Sequence, residues 1–379
     1  MQDLTPGWRL MPELWGRKYG RGELLRRVGR LEQVAGVRLV TLGDGVERGV
    51  RVLEFRTGSG FAFDVVVDRG FDIGRCELGG RALGWQSRAG FAGPWYHEPE
   101  GLGFLRSFGG GLLTTCGLDH ALFMAEDTAE QYHYPPKATE TFGLHGRISN
   151  RPARLVGYGE RWDGDECLLY AEGEVLQAAV FGEQLLLRRR IEARVGSSGL
   201  TIHDEVENVG FDPTPHMLLY HINAGFPATD EGSELLVPAT AVEARGEYAV
   251  AGYRTLAAPA PAFREQVFEH SLVPEAGGTV PVAVVNRELG FGLYEVFRLD
   301  QLPHHFAWRM LGEGTYVVGI EPCTNRTAGR LDARERGELI VLEPGETRAY
   351  DLELGALDGA VAVEAFATRV DRLLARGPA

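Results

Sequence analysis

The sequence predicts an all-β fold, a sandwich or a barrel, with helices confined to the two ends of the chain. Short runs rich in β-branched residues recur along the chain, partly alternating and separated by turns about every 8–12 residues. The 51 glycines and 19 prolines are spread over all 379 residues, which suits frequent turns and not a low-complexity linker. The strand-like runs lie at residues 37–42, 51–57, 61–69, 153–162, 167–177, 185–195, 200–209, 282–289, 291–299, 315–322 and 337–357.

Helical periodicity is limited to residues 12–31 and 360–377. We therefore expect an N-terminal helical or irregular arm over 1–35, one β-sandwich domain over 36–358 and a C-terminal helix over 359–379. Inside the domain, residues 90–136 are glycine-rich, aromatic and irregular. Long irregular segments in compact domains often carry side chains to a site framed by strands, so this segment is a candidate for such a role.

Composition excludes several classes of protein. The formal net charge of −14 repels phosphate backbones, so we expect no nucleic-acid partner. No apolar stretch approaches membrane-spanning length and the N-terminus lacks the apolar core of a signal peptide, so we expect no membrane association and a reducing cytoplasm. The four cysteines are far apart and no HxH or HExxH spacing occurs, which predicts neither a disulfide framework nor a metal site.

The segment VVGIEPCTNR, residues 317–326, holds the most informative carboxylate of the chain. An apolar run typical of a buried strand ends there at Glu321, directly before a proline. If Glu321 is buried, loss of water raises its pKa and makes it a better general base. A surface glutamate at a strand end is the alternative. Asn325, four residues later, is expected to bind a hydroxyl or to cap the turn.

Two further segments supply candidate histidines. LLYHINAGF places His221 at the end of an apolar strand with Asn223 beside it, and histidine titrates near neutral pH. FGLHGRISN combines His145 with Arg147 between glycines that allow close approach of a ligand. Arginine presents a rigid fork of donors that suits carboxylates, phosphates or vicinal hydroxyls. For His221 the alternative is a core histidine, and for the FGLHGRISN segment it is a well-bonded loop.

Polar and aromatic side chains elsewhere complete the candidate binding set. VVVDRGFDIG contributes Asp68 and Arg69, which offer the acceptors and donors that sugar hydroxyls need, or an ion-pair network that only fixes a turn. LDQLPHHFAWRM, just upstream of the Glu321 strand, contributes His305 and Trp308. An indole ring offers a flat surface on which a sugar can stack.

Four of these segments occur in a characteristic order: DRGFDIG at 68–74, TTCGLDH at 114–120, LHGRISN at 144–150 and IEPCTNR at 320–326. In these motifs the chain resembles the aldose 1-epimerase (galactose mutarotase-like) superfamily, specifically its branch labelled DUF4432. The resemblance runs from about Asp68 to the PGET segment at 344–347. It implies a large antiparallel β-sandwich with a sugar site in a concave face.

The resemblance also implies roles for individual residues. Glu321 matches the glutamate base, His221 the histidine acid on a central strand, and His145 a second histidine that binds a hydroxyl or the ring oxygen. Arg69 is similar in position to an arginine that orients the sugar. The implied activity is interconversion of sugar anomers by acid–base ring opening, without a metal or a cofactor.

Two features depart from the family pattern. Mutarotases carry a His-x-x-Phe motif, whereas here Phe226 follows His221 by five residues. The aspartate that grips sugar hydroxyls has no clear counterpart, and Asp300, His304 or His305 are the alternatives. Another sugar isomerase or lyase, or a non-catalytic carbohydrate-binding protein, therefore stays open. The expected partner is a small carbohydrate, and the expected state is a monomer or a homodimer.

Overall fold

Two large antiparallel sheets form the body of the protein in the computed structural model, which describes residues 11–130 and 132–376. The predicted arm and C-terminal helix extend beyond these bounds at residues 1–10 and 377–379. The elements of the first half are β1 (Glu13–Leu14), β2 (Arg17–Lys18), α1 (Arg21–Leu25), β3 (Gly36–Thr41), β4 (Arg51–Arg56), β5 (Phe61–Val66), β6 (Asp72–Leu78), β7 (Arg81–Ala82), β8 (Trp85–Gln86), α2 (Phe104–Ser107), β9 (Gly110–Gly111), β10 (Leu113–Cys116), β11 (Ala125–Thr128), β12 (Thr139–Phe142), β13 (Arg154–Asp163), β14 (Glu166–Ala178) and β15 (Gln184–Arg194). Those of the second half are β16 (Gly199–Asn208), β17 (Thr214–His216), β18 (Leu219–Ala224), β19 (Glu234–Leu236), β20 (Ala239–Ala244), β21 (Gln266–Leu272), β22 (Thr279–Asn286), β23 (Phe291–Arg298), β24 (His304–Gly312), β25 (Thr315–Cys323), α3 (Arg330–Glu335), β26 (Ile340–Leu342), β27 (Thr347–Asp358) and α4 (Ala360–Arg376).

The larger sheet runs in the order β20-β21-β24-β25-β18-β10-β6-β5-β4-β3, with β7 paired to β6. The smaller sheet runs β13-β14-β15-β16-β27-β23-β22-β19. Both sheets fall within residues 36–358, since β3 begins at Gly36 and β27 ends at Asp358. The order places β18 at the middle of the larger sheet, between β25 and β10.

The main hydrophobic core lies between the two sheets and draws on both. On β18 and its flank, Leu218, Tyr220 and Ile222 belong to this core, together with Leu187 and Ile191 from β15 of the opposite sheet. Because successive side chains of a strand point to opposite faces, the intervening residues of β18 must face away from the smaller sheet. That second face of the larger sheet carries the candidate site.

The second face of the larger sheet is covered by residues 84–111, 117–130 and 132–146, which include β8, β9, α2, β11 and β12 and lie on either side of the sheet strand β10 in the sequence. A second buried cluster forms between this covering segment and the sheet. It joins Phe104, Phe108 and Leu122 of the segment to Leu219 of β18 and Phe306 of β24. Most of the described residues in the range predicted as irregular, 90–136, thus close over the sheet, whereas Leu113–Cys116 form its strand β10.

A buried ionic network connects the two sheets behind β18. Arg189 of β15 donates to Asp204 of the same sheet at 2.8 and 2.6 Å, and to Asp72 of β6 at 2.8 Å. It also donates to Thr115 of β10 at 2.8 Å, while Tyr220 of β18 donates to Asp204 at 2.7 Å. The guanidinium therefore ties the smaller sheet to two strands of the larger one, and Asp204 ties it to a third through Tyr220.

The two ends of the described chain differ from each other. The N-terminal helix is shorter than the pattern predicts, because residues 13–18 form the β1–β2 hairpin through left-handed Trp15 and Gly16, with φ 54° and 75°. The C-terminal helix forms as predicted: α4 packs Val363 and Phe366 on the outer face of the smaller sheet. No helix within residues 11–130 and 132–376 has the length and apolar character to cross a bilayer.

Candidate functional site

The second face of the larger sheet brings Glu321 and His221 together. His221 lies on β18 and Glu321 on the neighbouring strand β25, where Ile222 pairs with Ile320. The Nε2 atom of His221 lies 3.3 Å from Oε1 of Glu321, and the two side chains are only 5% and 6% exposed. Two ionisable groups are thereby held at contact distance, away from water.

A glycine on β25 makes room for the carboxylate. Gly319 and Glu321 are two residues apart on the strand and so share a face. A Cβ atom at Gly319 would lie 2.2 Å from Oε1 of Glu321 and 3.2 Å from Cβ of Trp308. The carboxylate therefore occupies the volume that a side chain at position 319 would fill.

His145 reaches the pair from a tight turn in the covering segment. His145 and Gly146 both adopt left-handed backbone conformations, with φ 60° and 72°. A side chain at Gly146 would collide with the carbonyl oxygen of His120, only 2.2 Å from an ideal Cβ. The His145 ring lies 5.6 Å from the His221 ring, nearly perpendicular to it at 82°. The third predicted polar group thus joins the pair.

Aromatic rings surround these three groups. Phe108 and Trp308 each lie 5.2 Å from the His221 ring, and Phe104 lies 4.9 Å from the His145 ring, measured between centroids. Together they line a cavity of about 600 Å³ that opens to solvent. Ligand cavities of about 300–1,000 Å³ are typical of sites for small organic molecules, with few polar groups that orient the ligand.

Burial sets the charge state of the pair. It raises the pKa of Glu321 well above its usual range, and the nearby carboxylates of Glu265 and Glu295 add to the rise. Burial lowers the pKa of His221 to about 4, and it lowers the pKa of His145 well below its usual range. Burial therefore favours the neutral form of each group, so a single proton on the pair lies preferentially on Glu321, beside two neutral imidazoles.

Three other predicted residues are Trp308, Asn223 and Asn325, of which only Trp308 lines the cavity. Trp308 lines the cavity and donates its indole N–H to Glu265 at 3.1 Å. Asn223 is buried next to His221 and donates to its carbonyl oxygen at 2.9 Å, without lining the cavity. Asn325 is also buried outside the lining, where its side-chain oxygen accepts a hydrogen bond from Thr324 at 2.7 Å.

Arg69 and Asp68 lie outside the cavity lining. Asp68 accepts hydrogen bonds from Arg51, with 2.5 Å between Nη2 and Oδ1, so its partner is an arginine outside the motif and not Arg69. The buried guanidinium of Arg69 binds backbone oxygens instead of a ligand. It donates to three carbonyls of the covering segment and the turn after His145, namely those of Ala92, Ser107 and Ser149. Arg69 thus fixes the segments that carry the cavity walls.

His305 and Arg147 also lie outside the cavity lining. His305 faces the space between the sheets, because it alternates with Phe306, which faces the cavity. Its Nε2 lies 2.9 Å from Glu295 and its Nδ1 lies 2.8 Å from Nδ1 of His270. Arg147 is turned toward Asp119, 3.7 Å away. Neither position gives contact with a ligand in the cavity.

Several cavity residues were not identified from the sequence. Phe104 and Phe108 stand four residues apart around α2, with ring centroids 5.0 Å apart. Their spacing within a glycine-flanked stretch was the available signal. No sequence signal pointed to Glu265, since it lies in an exposed segment before β21 and reaches the cavity through the pairing of β21 with β24.

A second depression of about 520 Å³ lies over β3–β6. Four of its charged groups are already paired, Arg38 with Glu54 and Arg75 with Asp64, each at 2.6 Å. In the described part of the chain, no three metal-binding side chains group together. All four cysteines are buried free thiols, as the spacing predicted.

Comparison with known proteins places the chain in a family. Residues 47–356 match the family described as "Domain of unknown function (DUF4432)", and the chain belongs to it. The matched range contains both the Glu321–His221 pair and the His145 turn. No curated protein matches the chain.

Solved structures share the fold. One described as a "putative aldose 1-epimerase" from Klebsiella pneumoniae is 24% identical, with a TM-score of 0.82 over 91% of this chain and 90% of that one. A galactose mutarotase-like protein from Clostridium acetobutylicum is 12% identical, with a TM-score of 0.56 over 85% and 98%. Galactose 1-epimerase from Lactobacillus acidophilus is 14% identical, with a TM-score of 0.53 over 85% and 99%. These likenesses confirm the predicted galactose mutarotase-like antiparallel β-sandwich.

Proposed function

We propose that the protein is a carbohydrate-active isomerase of the aldose 1-epimerase type, which interconverts sugar anomers by opening and closing the ring. The observation that carries this proposal is the buried Glu321–His221 pair, 3.3 Å apart in an aromatic-walled cavity. The epimerase-like fold of the structural relatives supports it.

A pair that shares one proton can perform both halves of this reaction. When the C1–O5 bond breaks, the C1 hydroxyl loses a proton and O5 gains one. These two oxygens are bonded to the same carbon, so a pair 3.3 Å apart can serve both. After rotation about the C1–C2 bond, ring closure exchanges the roles of acceptor and donor and restores the starting protonation. No other reactant is consumed.

The roles predicted from sequence are Glu321 as base and His221 as acid, which requires the proton on His221 when ring opening begins. In the protein alone, burial favours the proton on Glu321. A sugar hydroxyl that donates to the carboxylate favours its ionised form and so promotes transfer of the proton to His221. Each positioned proton transfer contributes about 10²–10⁴-fold to the rate.

Two neighbouring groups would hold the sugar in place. The Trp308 ring, fixed by its hydrogen bond to Glu265, presents a face on which the apolar side of a sugar ring can stack. His145 stays neutral because of burial, and its Nδ1 has no hydrogen-bond partner among the described residues. A neutral imidazole in that position suits a sugar hydroxyl or the ring oxygen.

The test is anomer exchange measured by NMR in D₂O across neutral, acidic and phosphorylated aldoses. We expect catalysed exchange by the wild type and a loss of about 10²-fold or more in Glu321→Gln, which removes the proton acceptor but keeps the shape of the side chain. Glu205→Gln, at a partly exposed position on β16 of the smaller sheet, is the matched control and is expected to leave the rate unchanged.

Undiminished exchange in Glu321→Gln would contradict the proposal. Deuterium entering a carbon–hydrogen bond of the sugar would instead indicate an isomerase or lyase that abstracts a proton from carbon. Sugar binding without turnover, unaffected by substitution of Glu321 or His221, would indicate a carbohydrate-binding protein.

A further inference from the structure

In the cavity lining, the polar groups that remain available to a ligand lie mainly at Glu321, His221 and His145. Beyond Glu321, His221 and His145, most polar side chains of the lining are already bonded within the protein. Ser87 donates to the carbonyl of Phe108 at 2.5 Å, and Thr327 donates to Glu269 at 2.6 Å. The carboxylate of Glu265 accepts the indole N–H of Trp308. Few polar groups therefore remain to receive the hydroxyls of a sugar.

Besides Glu265, whose Oε1 accepts no hydrogen bond, two lining residues keep an unbonded polar group among the described residues. They are Thr315 at the start of β25 and Arg88, which is exposed. A common hexose has a hydroxyl on almost every carbon. Each hydroxyl placed against an apolar wall without a partner lowers affinity by about tenfold. The lining is thus poorly matched to a fully hydroxylated sugar that fills the cavity.

The rest of the lining is apolar and extends to the cavity mouth. Leu102 and Leu105 line the cavity, although each is 54% exposed to solvent. We call these two residues the apolar lip. They flank the start of α2, whose Phe104 contacts the His145 ring. An apolar surface therefore runs continuously from the catalytic groups to solvent.

The cavity volume agrees with a ligand larger than one sugar ring. About 600 Å³ lies in the middle of the range typical of pockets for drug-sized ligands. A single pyranose leaves much of this space to water in contact with apolar walls. Burying apolar ligand surface there is favourable, by about fourfold in affinity for each methylene group.

We propose that the substrate is an aldose with an apolar substituent remote from its anomeric carbon, which lies along the apolar wall and against the apolar lip. The anomeric end remains at Glu321 and His221, because those groups perform the chemistry. This inference rests on the proposed function for the orientation of the sugar, whereas the preference for an apolar substituent is a property of the cavity alone.

The test uses reducing sugars that differ only in one alkyl chain. Glucose, galactose and mannose are each compared with their 6-O-methyl, 6-O-propyl and 6-O-pentyl ethers. Binding is measured by calorimetry on wild type and on Glu321→Gln, and turnover is measured by anomer exchange on wild type. We expect affinity and kcat/KM to rise by at least tenfold from the free sugar to the pentyl ether of the preferred parent.

Substitution of the apolar lip gives a second readout. The double variant Leu102→Ser, Leu105→Ser is expected to flatten the increase of affinity with chain length. The matched control is Leu289→Ser, an exposed leucine in the turn between β22 and β23, which is expected to keep the increase. Because these leucines are about half exposed, the substitutions are expected to leave the protein folded.

The outcomes separate this inference from the proposed function. Affinity that rises with chain length in the absence of anomer exchange supports the inference and rejects the epimerase. Anomer exchange on glucose, galactose and mannose, with no increase of affinity or kcat/KM from the alkyl chain, overturns the inference and supports the epimerase proposal. An equal increase of affinity with chain length in the Leu102→Ser, Leu105→Ser variant also overturns the inference. Absence of both sugar binding and anomer exchange rejects both proposals.

Discussion

Two of the histidines that lie beside a carboxylate, His203 and His221, have pKa values shifted in opposite directions because their burial differs. His203 is about half exposed with Nδ1 2.7 Å from Asp351, and the hydrogen bond to that carboxylate raises its pKa. His221 is buried 3.3 Å from Glu321, and loss of water lowers its pKa to about 4. The chemistry expected of the Glu321–His221 pair therefore depends on the burial of its side chains and not on residue type alone.

The pH dependence of kcat/KM follows from the proton shared by the pair. We expect a plateau at neutral pH and a fall on the acid side with a midpoint of about 4, where His221 takes a second proton and no acceptor remains. On the alkaline side, loss of the single proton from Glu321 stops the reaction. The measurement is anomer exchange corrected for the uncatalysed rate, with circular dichroism at each pH to identify unfolding. An acid midpoint near 6.5, the usual histidine value, would contradict this account.

Gly319 provides a test of the geometry that requires no change of the catalytic groups. Gly319→Ala puts a methyl group where Oε1 of Glu321 now lies, 2.2 Å from the ideal Cβ position. We expect a loss of about 10²-fold in kcat with little change in thermal stability, because the carboxylate turns away from His221. The control is Gly157→Ala on β13, where a Cβ meets only ordinary contacts at 3.8 Å. A variant Gly319→Ala with wild-type kcat would show that the carboxylate position is unimportant.

The sequence was sufficient to select the residues that end apolar strands. Glu321 and His221 each follow a run of apolar residues, and the structure places both in one cavity with His145 and Trp308. The sequence was not sufficient to show on which face of its strand a polar residue lies. His305 stands one residue from Phe306, which faces the cavity, and a shift of one residue in strand register reverses the two faces.

At the scale of elements, strands were predictable because alternation is a local property of the chain. The cavity was not predictable, since it requires the pairing of β18 with β25 and the packing of the covering segment over both strands. The N-terminal segment shows a related limit. Its apolar residues fit a helical pattern over 12–31, yet the Trp15–Gly16 turn produces a hairpin and leaves only Arg21–Leu25 helical.

The ionic link between the sheets is expected to stabilise the frame of the site. Arg189→Met removes the cation that faces Asp72 and Asp204 in the core, leaving buried carboxylates without their partner. We expect the free energy of unfolding to fall by about 3–5 kcal/mol, measured by denaturant titration. Arg190→Met is the control on the same strand, since Arg190 is partly exposed and pairs with Glu172 and Glu192. The control is expected to cost less than about 1 kcal/mol, and equal losses would contradict a structural role for Arg189.

At the scale of the whole molecule, buried neutral histidines couple stability to pH. His216 lies on β17, where its ring bonds the carbonyl of Leu118 and the hydroxyl of Tyr350, both at 2.8 Å. Burial lowers its pKa to about 4, so the unfolded chain binds a proton that the folded one does not between about pH 6.5 and 4. The stability that His216 contributes is complete above pH 6.5 and is lost as the pH falls to 4.

Replacement of His216 isolates this contribution. In denaturant titrations at pH 7.5, 6 and 4.5, we expect the stability of wild type to fall more steeply than that of His216→Gln, by up to about 1.4 kcal/mol per pH unit. His203→Gln is the control of opposite sign, because the raised pKa of exposed His203 adds stability only below that pKa. Parallel pH profiles for wild type and His216→Gln would contradict the assignment.

If Glu321 and His221 act as one proton-sharing unit, their substitutions must be coupled, and a double-mutant cycle on anomer exchange measures this coupling. The four proteins are wild type, Glu321→Gln, His221→Asn and the double variant, each assayed with the sugar that wild type turns over fastest. We predict that each single substitution lowers kcat by about 10²-fold or more and that the double variant loses little beyond the worse single one. Losses that multiply, or a single variant with wild-type turnover, would contradict the claim.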